Sequence, residues 1–554
     1  SIRPAAMMDA AAARGSVIVP PPKCILGTRQ RIGIAVAVAV VSATGAAVAI
    51  TVAEQSNSRV PLPAPPSDSP APLPPAPSSL APLPSSILLS PPPPTHPKSV
   101  APGAEANSSS ATPFYGFPHY YTSFDSMDSD WADATPHYET RPTHGFHRLP
   151  YATTTTSASE VTADTVEPSL AALGPHYSPI GVTVYNPAAS APNALQAVAG
   201  QVLVASHGSW NRDPWIGYRV DAFQVDLSSP APTYAVTGHS ILVPPLREVS
   251  GSSRIRPVDV VTSPADGALL MTADRDDFMG GDRGGGLYRI ATTSSATGTP
   301  IPLPNAGDAI LGGTASLERL VALPCARQLV LSRVDPSLVF ISSFQGFCPA
   351  NAAGALYVVQ LDMATGGVVR SATLASGLNE PQGIDAGPLD GALYVATAGN
   401  SDAAATRGNC VLRLRDVDAL ALGVLDGTMP ALQSDDARLE AVSCGFTRVQ
   451  QQHSWRSLRV SPSGAHAIVS VGADCNWPCS SSSDEGDHQT TLVAINLTSG
   501  AATVAATGIR NAIGMHFTAA GDLLFTAFGS DNGDGIPNGD NGKNVPECEL
   551  NVLR

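Results

Sequence analysis

The stretch 201–220, QVLVASHGSWNRDPWIGYRV, joins an apolar run to a cluster of polar and aromatic side chains. Val202 to Ala205 reads as a β-strand, since a run this rich in valine suits a pleated, buried surface. His207-Gly208-Ser209-Trp210-Asn211-Arg212 follows at once. Five of these six residues carry a side chain that hydrogen-bonds or stacks. The sixth, Gly208, lets a ligand approach the backbone. The segment predicts a binding site at the end of a strand.

That strand has echoes along the chain. With its leading turn it reads AGQVLVAS, and the pattern returns as SPADGALLMTAD, VDPSLVFISS, GPLDGALYVATAG, SPSGAHAIVSVG and TAAGDLLFTAFG. Each copy is a turn of Gly, Asp or Pro, then an apolar strand, then small or acidic residues. The copies lie roughly 55 to 75 residues apart. One diagnostic strand in a unit of that size suggests a propeller blade, too small to bury its own faces. Six copies predict an all-β, six-bladed β-propeller. A β-sandwich or a β-helix is the alternative. No long helical periodicity competes, and Gly, Pro, Asp and Ser punctuate the apolar runs throughout.

The residues before the repeats are of another kind. Of the 51 prolines, the excess lies before residue 115. Residues 1–31 form a tail carrying Lys23, Arg29 and Arg31. Residues 32–52, Ile32 to Val52, are uncharged and long enough to cross a bilayer as one helix. The basic flank comes first, which predicts a signal anchor with the bulk of the chain on the extracellular or lumenal side. A cleaved targeting segment, giving a secreted protein, is the alternative. Residues 53–113 are a Pro/Ser/Ala-rich linker with the extended character of polyproline. Residues 114–554 are the predicted propeller.

The formal net charge of −15 excludes nucleic acid as an expected partner, since phosphate binding needs a basic surface. Of the eight cysteines, seven follow the apolar segment, an odd number. Cys475-Asn476-Trp477-Pro478-Cys479 has the look of half a zinc site, but no second pair at ligand spacing completes it. A local disulfide or two plain cysteines is the preferred reading.

Several motifs together resemble the PQQ-dependent glucose/sorbosone dehydrogenase family, quinoprotein propellers that oxidise sugars. Residues 114–290 are similar to the family's C-terminal half. They carry Tyr115-Gly116-Phe117-Pro118, Gly174 to Gly181 (GPHYSPIG), His207 to Arg212, and Arg256-Pro257-Val258-Asp259-Val260. Residues 317–554 are similar to its N-terminal half. They carry Ala326-Arg327-Gln328-Leu329, Pro381-Gln382-Gly383-Ile384, His453-Ser454-Trp455-Arg456, Gly508 to Gly514 (GIRNAIG) and Glu549-Leu550-Asn551. The halves stand in circularly permuted order. A ring tolerates such a cut, because the termini of compact domains are often close. The alternative is a chain spanning the end of one domain and the start of a tandem copy.

The resemblance implies two cofactors, PQQ and Ca²⁺, and a small sugar substrate. It implies His453 as the base that takes the sugar's hydroxyl proton, a task suited to a neutral imidazole. It implies Arg510 at the quinone oxygen that gains charge, and Asn511 against the cofactor plane. Arg256, Arg212, Asn211 and His207 are further cofactor-binding candidates, since guanidinium groups match carboxylates. For calcium it implies the backbone of Gly529 and Ser530, with Asp531 beside them, on a Gly-rich acidic turn suited to a hard cation. The loop there is longer than the family's, with IPNGDNGKNVPE inserted and Cys548 before Glu549. An electron acceptor is the expected partner. Two other readings stay open: a non-catalytic propeller that binds a glycan or protein, and a lactonase-like calcium hydrolase.

Overall fold

The computed structural model describes residues 112–115, 120–122, 146–148, 166–167, 169–174, 176–209, 216–227, 234–243, 245–246, 255–275, 285–292, 301–302, 315–343, 354–398, 408–446, 453, 456–473, 490–529 and 548–554. The expected anchor at 32–52 and the linker at 53–113 lie outside these, apart from the linker's last two residues. Among the described residues no helix is long and apolar enough to cross a membrane.

Six sheets, antiparallel apart from the short strand Leu432–Gln433 that runs parallel to Val368–Leu378, make a six-bladed propeller. Blade 1 runs outward through Pro179–Val184, Val202–Ser206, Arg219–Val225 and Val236–Val243. Blade 2 begins at Ile255–Thr262 and continues through Leu269–Arg275, Gly286–Thr292 and Ala315–Ala322. Blade 3 begins at Ala326–Leu331, and blade 4 at Pro381–Ala386. Blade 5 begins at Leu458–Val460 and blade 6 at Ala512–Phe517. These first strands are innermost, and each touches its neighbours around the full circle. The six echoed segments supply the second strand of each blade, from Val202–Ser206 to Leu523–Ala527.

Blade 6 closes the ring. Its third strand, Cys548–Leu553, pairs on its outer side with Ala171–Gly174, which comes from the start of the domain. Tyr115 supports the same closure: its hydroxyl donates to the carbonyl of Val552 at 2.6 Å, and its ring meets Phe525 edge-on. One ring is thus completed within this single chain.

The apolar runs follow from this stacking. A strand's alternate side chains point to opposite faces of the sheet, and here each face meets another blade. In the second strand of blade 1, Val202 and Val204 pack toward blade 6, while Leu203 and Ala205 pack toward blade 2. Both faces are dry, so the strand is apolar at every position instead of alternating with polar residues. Six such clusters lie between successive blades. At Gly383 the inner strands of blades 4 and 5 leave no room for a side chain: a Cβ there would stand 2.4 Å from the backbone N of Leu458.

Two side chains cross the axis. Gln328 of blade 3 donates to the carbonyl of Ile513 in blade 6. Arg459 of blade 5 donates to the carbonyls of Met515 and Ile384 in the blades on either side and reaches Asp259 in blade 2, opposite, at 3.2 Å. The channel is therefore stoppered between its two mouths.

Blade 4 is also held covalently. Cys410 and Cys444 face each other across its third and fourth strands and form a disulfide. Replacing both with alanine is expected to cost about 2–4 kcal/mol, from the loop entropy returned to the unfolded chain. Urea unfolding of the oxidised protein and the variant checks this, and coincident midpoints would contradict it. Cys325 is disulfide-bonded as well. Cys475 and Cys479 lie outside the described residues.

Candidate active site

In each blade the first strand starts, and the second strand ends, at the same end of the ring. The register shows it: Pro179 faces Ser206, Ile255 faces Arg275, Pro381 faces Thr397 and Ala512 faces Ala527. His207 follows the second strand of blade 1, and Arg256 opens the first strand of blade 2. His453 precedes the first strand of blade 5. Arg510 and Asn511 immediately precede that of blade 6. Gly529 follows that blade's second strand. Chain topology therefore brings His207, Arg256, His453, Arg510, Asn511 and Gly529 to one mouth of the propeller. Asn211, Arg212, Ser530 and Asp531 lie outside the described residues.

His453 is 3% exposed. Its Nδ1 lies 2.9 Å from the carbonyl oxygen of Ala473. A carbonyl only accepts, so Nδ1 carries the hydrogen, and in the neutral ring the lone pair is on Nε2. Ala473 is itself placed by its N–H, which donates to the carbonyl of Arg510. Beside it, a Cβ on Gly472 would come within 2.7 Å of His453 Cβ and 3.2 Å of Asn511 Oδ1. Glycine is what allows the imidazole and the amide to share this corner.

Asn511 is 1% exposed, and neither its Oδ1 nor its Nδ2 has a hydrogen-bond partner. Burying a primary amide unpaired costs on the order of 1–3 kcal/mol, so such a group points to a ligand. The Oε1 atoms of Gln328 and Gln382, at the starts of the inner strands of blades 3 and 4, are likewise buried without a partner. Arg510, 2% exposed, donates from Nη1 to the carbonyl of Gly529 at 2.6 Å.

The other side of the mouth is an ionic cluster. His207 Nε2 lies 3.4 Å from Asp274 Oδ2, and the same oxygen pairs with Arg327 Nη1 at 3.0 Å. Burial, then the charge of Arg256, push the His207 pKa down to about 3, against the opposing pull of Asp274. The ring is thus neutral at ordinary pH, a hydrogen-bonding group and not a cation.

Arg256 donates to the carbonyls of His207 and Gly208 and lies over the ring of Tyr218. It braces the turn that carries His207 at the mouth. In the calcium loop, the carbonyl of Gly529 is engaged by the Arg510 guanidinium, and a cationic donor and a metal ion compete for that oxygen. The described residues contain no group of three His, Cys, Asp or Glu that could hold a metal ion. Of the expected calcium ligands, Gly529 alone is among the described residues.

Arg327, Gln328 and Gln382 stand in quoted motifs and Asp274 ends a repeat strand, but the sequence assigns none of them a role at the site. The available signal was a charged or amide side chain at the mouth end of an otherwise apolar strand, as in MTAD and ARQLVL.

A family model described as TrAA12-like matches residues 99–279. A curated uncharacterised protein of Borreliella burgdorferi is 28% identical over 123 residues, which cover 22% of this chain and 28% of that protein. Among solved structures, the PQQ domain of pyranose dehydrogenase from Coprinopsis cinerea, in its holo form, is 16% identical with a TM-score of 0.27. That match covers 41% of this chain and 49% of that one. A calcium structure of a Trichoderma reesei carbohydrate-active enzyme of family AA12 is 11% identical with a TM-score of 0.37, covering 68% and 97%. The chain thus spans about a quarter of the curated relative and about half of the Coprinopsis domain.

Proposed function

We propose that this chain is a PQQ-dependent oxidoreductase acting on an aldose or sorbosone-type sugar, a permuted relative of the glucose/sorbosone dehydrogenases. The observation that carries the reading is the corner made by His453, Gly472, Arg510 and Asn511. A base with its lone pair on Nε2, a guanidinium and an unpartnered buried amide meet there at a propeller mouth. The TrAA12-like match over 99–279 supports it from the other half of the chain.

The residues fit the group. Asn511 has an amide to spend on the cofactor, and Arg510 offers a positive charge. When bound, PQQ supplies the ortho-quinone that accepts hydride from the sugar carbon. The chain's own residues do the rest. His453 takes the hydroxyl proton on Nε2 while its Nδ1–H holds the ring against Ala473. Arg510 would help hold the cofactor and would offer positive charge to its acceptor end, in a mouth where burial strengthens such interactions. Neutral His207, oriented by Asp274, serves as a polar wall that adds no charge. Binding and orientation are what a protein contributes around a cofactor of this kind.

An oxidising compartment suits the Cys410–Cys444 disulfide. We propose that the propeller lies on the extracellular or lumenal side.

The test is PQQ binding followed by turnover. PQQ should bind the full chain, and an aldose should then reduce a dye. Asn511→Leu should weaken PQQ binding about tenfold or more, the value of a lost buried hydrogen bond to a charged ligand. Absence of PQQ binding would end this reading. Binding without turnover on a broad sugar panel would leave a non-catalytic propeller.

A further inference from the structure

The opposite mouth of the channel holds a cavity of about 570 Å³, within the range of small-molecule sites. It lies beyond the Arg459–Asp259 stopper, where the inner strands end. Arg333, Asp385, Arg459, His516 and Phe517 line it, with Pro388 and Pro462 toward the outside.

Not all of its charges are available. Arg459 is spent on three carbonyls and Asp259. The Asp385 carboxylate accepts the backbone N–H groups of Ala386 and Val460. Arg333 is exposed, and neither it nor His516 makes a hydrogen bond or ion pair among the described residues. Burial, followed by the charges of Arg459 and Arg333, push the His516 pKa down to about 4. The ring is therefore neutral, in a positive field.

The rim is apolar. Val334 is 72% exposed and Leu389 78%. Each adjoins a lining residue, Arg333 and Pro388: Val334 leans on the turn at Gly391 in blade 4, and Leu389 on that at Gly464 in blade 5.

We propose that this cavity binds a small organic carboxylate with an apolar body. Arg333 and an N–H of His516 hold the carboxylate, and Phe517, Pro388 and Pro462 receive the body beneath the Val334–Leu389 rim. Arg333 and a neutral imidazole offer N–H donors for one carboxylate group, while Asp385, on which the charge of Arg333 also acts, is turned to backbone N–H groups. A phosphate dianion would need a second cation. The inference is independent of the sugar-oxidation reading.

Calorimetry on the full chain with benzoate, acetate and inorganic phosphate tests it. Benzoate should bind with Kd of about 1 mM or tighter, acetate more weakly, and phosphate without measurable heat. Arg333→Gln, at an exposed position that does not threaten the fold, should weaken benzoate about tenfold or more. Leu389→Ser should weaken benzoate and leave acetate unchanged. No saturable benzoate binding, phosphate binding as tight as benzoate, or an Arg333→Gln variant with unchanged affinity would each overturn the proposal.

Discussion

Replacing His453 with alanine is expected to lower sugar-oxidation turnover about 10²–10⁴-fold, the usual loss for a positioned general base. PQQ affinity should change little by comparison. The separation follows from the geometry. Nδ1 is committed to the Ala473 carbonyl, so the ring's contribution to chemistry is the Nε2 lone pair. The unpartnered amide belongs to Asn511 and stays in the variant. Stopped-flow turnover and PQQ titration on the same preparation give both quantities. A His453→Ala protein that keeps more than about a tenth of wild-type turnover would remove His453 from the proposed mechanism. His453→Gln is the companion variant. It restores much of the volume and a hydrogen-bond donor toward Ala473 but has no basic nitrogen, so it should stay as slow as the alanine variant.

The propeller was legible because its second strands are buried on both faces. Burial between blades removes the polar alternation of an ordinary antiparallel strand, leaving short apolar runs behind a recurring turn. Those runs can be counted without knowing what pairs with what. The outer strands carry less signal. Val236–Val243 is buried at its ends and partly exposed along its middle, so it reads as loop as readily as strand. The closure of blade 6 by Ala171–Gly174 rests on pairing across nearly the whole domain, which local pattern does not contain.

At the site, His453, Arg510 and Asn511 were found through motifs, and the topology brings them together. Asp274 was missed because its value lies in two partners, His207 and Arg327, that are distant in sequence. Arg256 shows a related limit: a sequence shows that a guanidinium is present, but not that it donates to backbone carbonyls 48 and 49 residues away.

Arg459 shows the same limit at larger cost. Arg459→Met is expected to destabilise the propeller by about 3–5 kcal/mol at neutral pH, the loss typical of removing one partner from a buried ion pair. Asp259 is wholly buried, and burial already raises its pKa against the lowering effect of Arg459. Removing the guanidinium raises that pKa further. A carboxyl whose folded pKa exceeds its unfolded value favours the folded state while protonated, and that contribution is lost as pH rises through the folded pKa. The gap between variant and wild type should therefore be widest at neutral pH and narrow toward about pH 4, near the unfolded aspartate value. Asp385, also raised by burial and lowered by Arg459, acts in the same direction. Adding Asp259→Asn to Arg459→Met should recover part of the loss. Recovery stays partial because the carbonyls of Met515 and Ile384 still lack the donor that served them. Urea midpoints across this pH range decide the matter. A destabilisation that does not vary with pH, or a double variant no more stable than the single one, would mean that Arg459 acts through its carbonyl contacts and packing and not through the charge of Asp259.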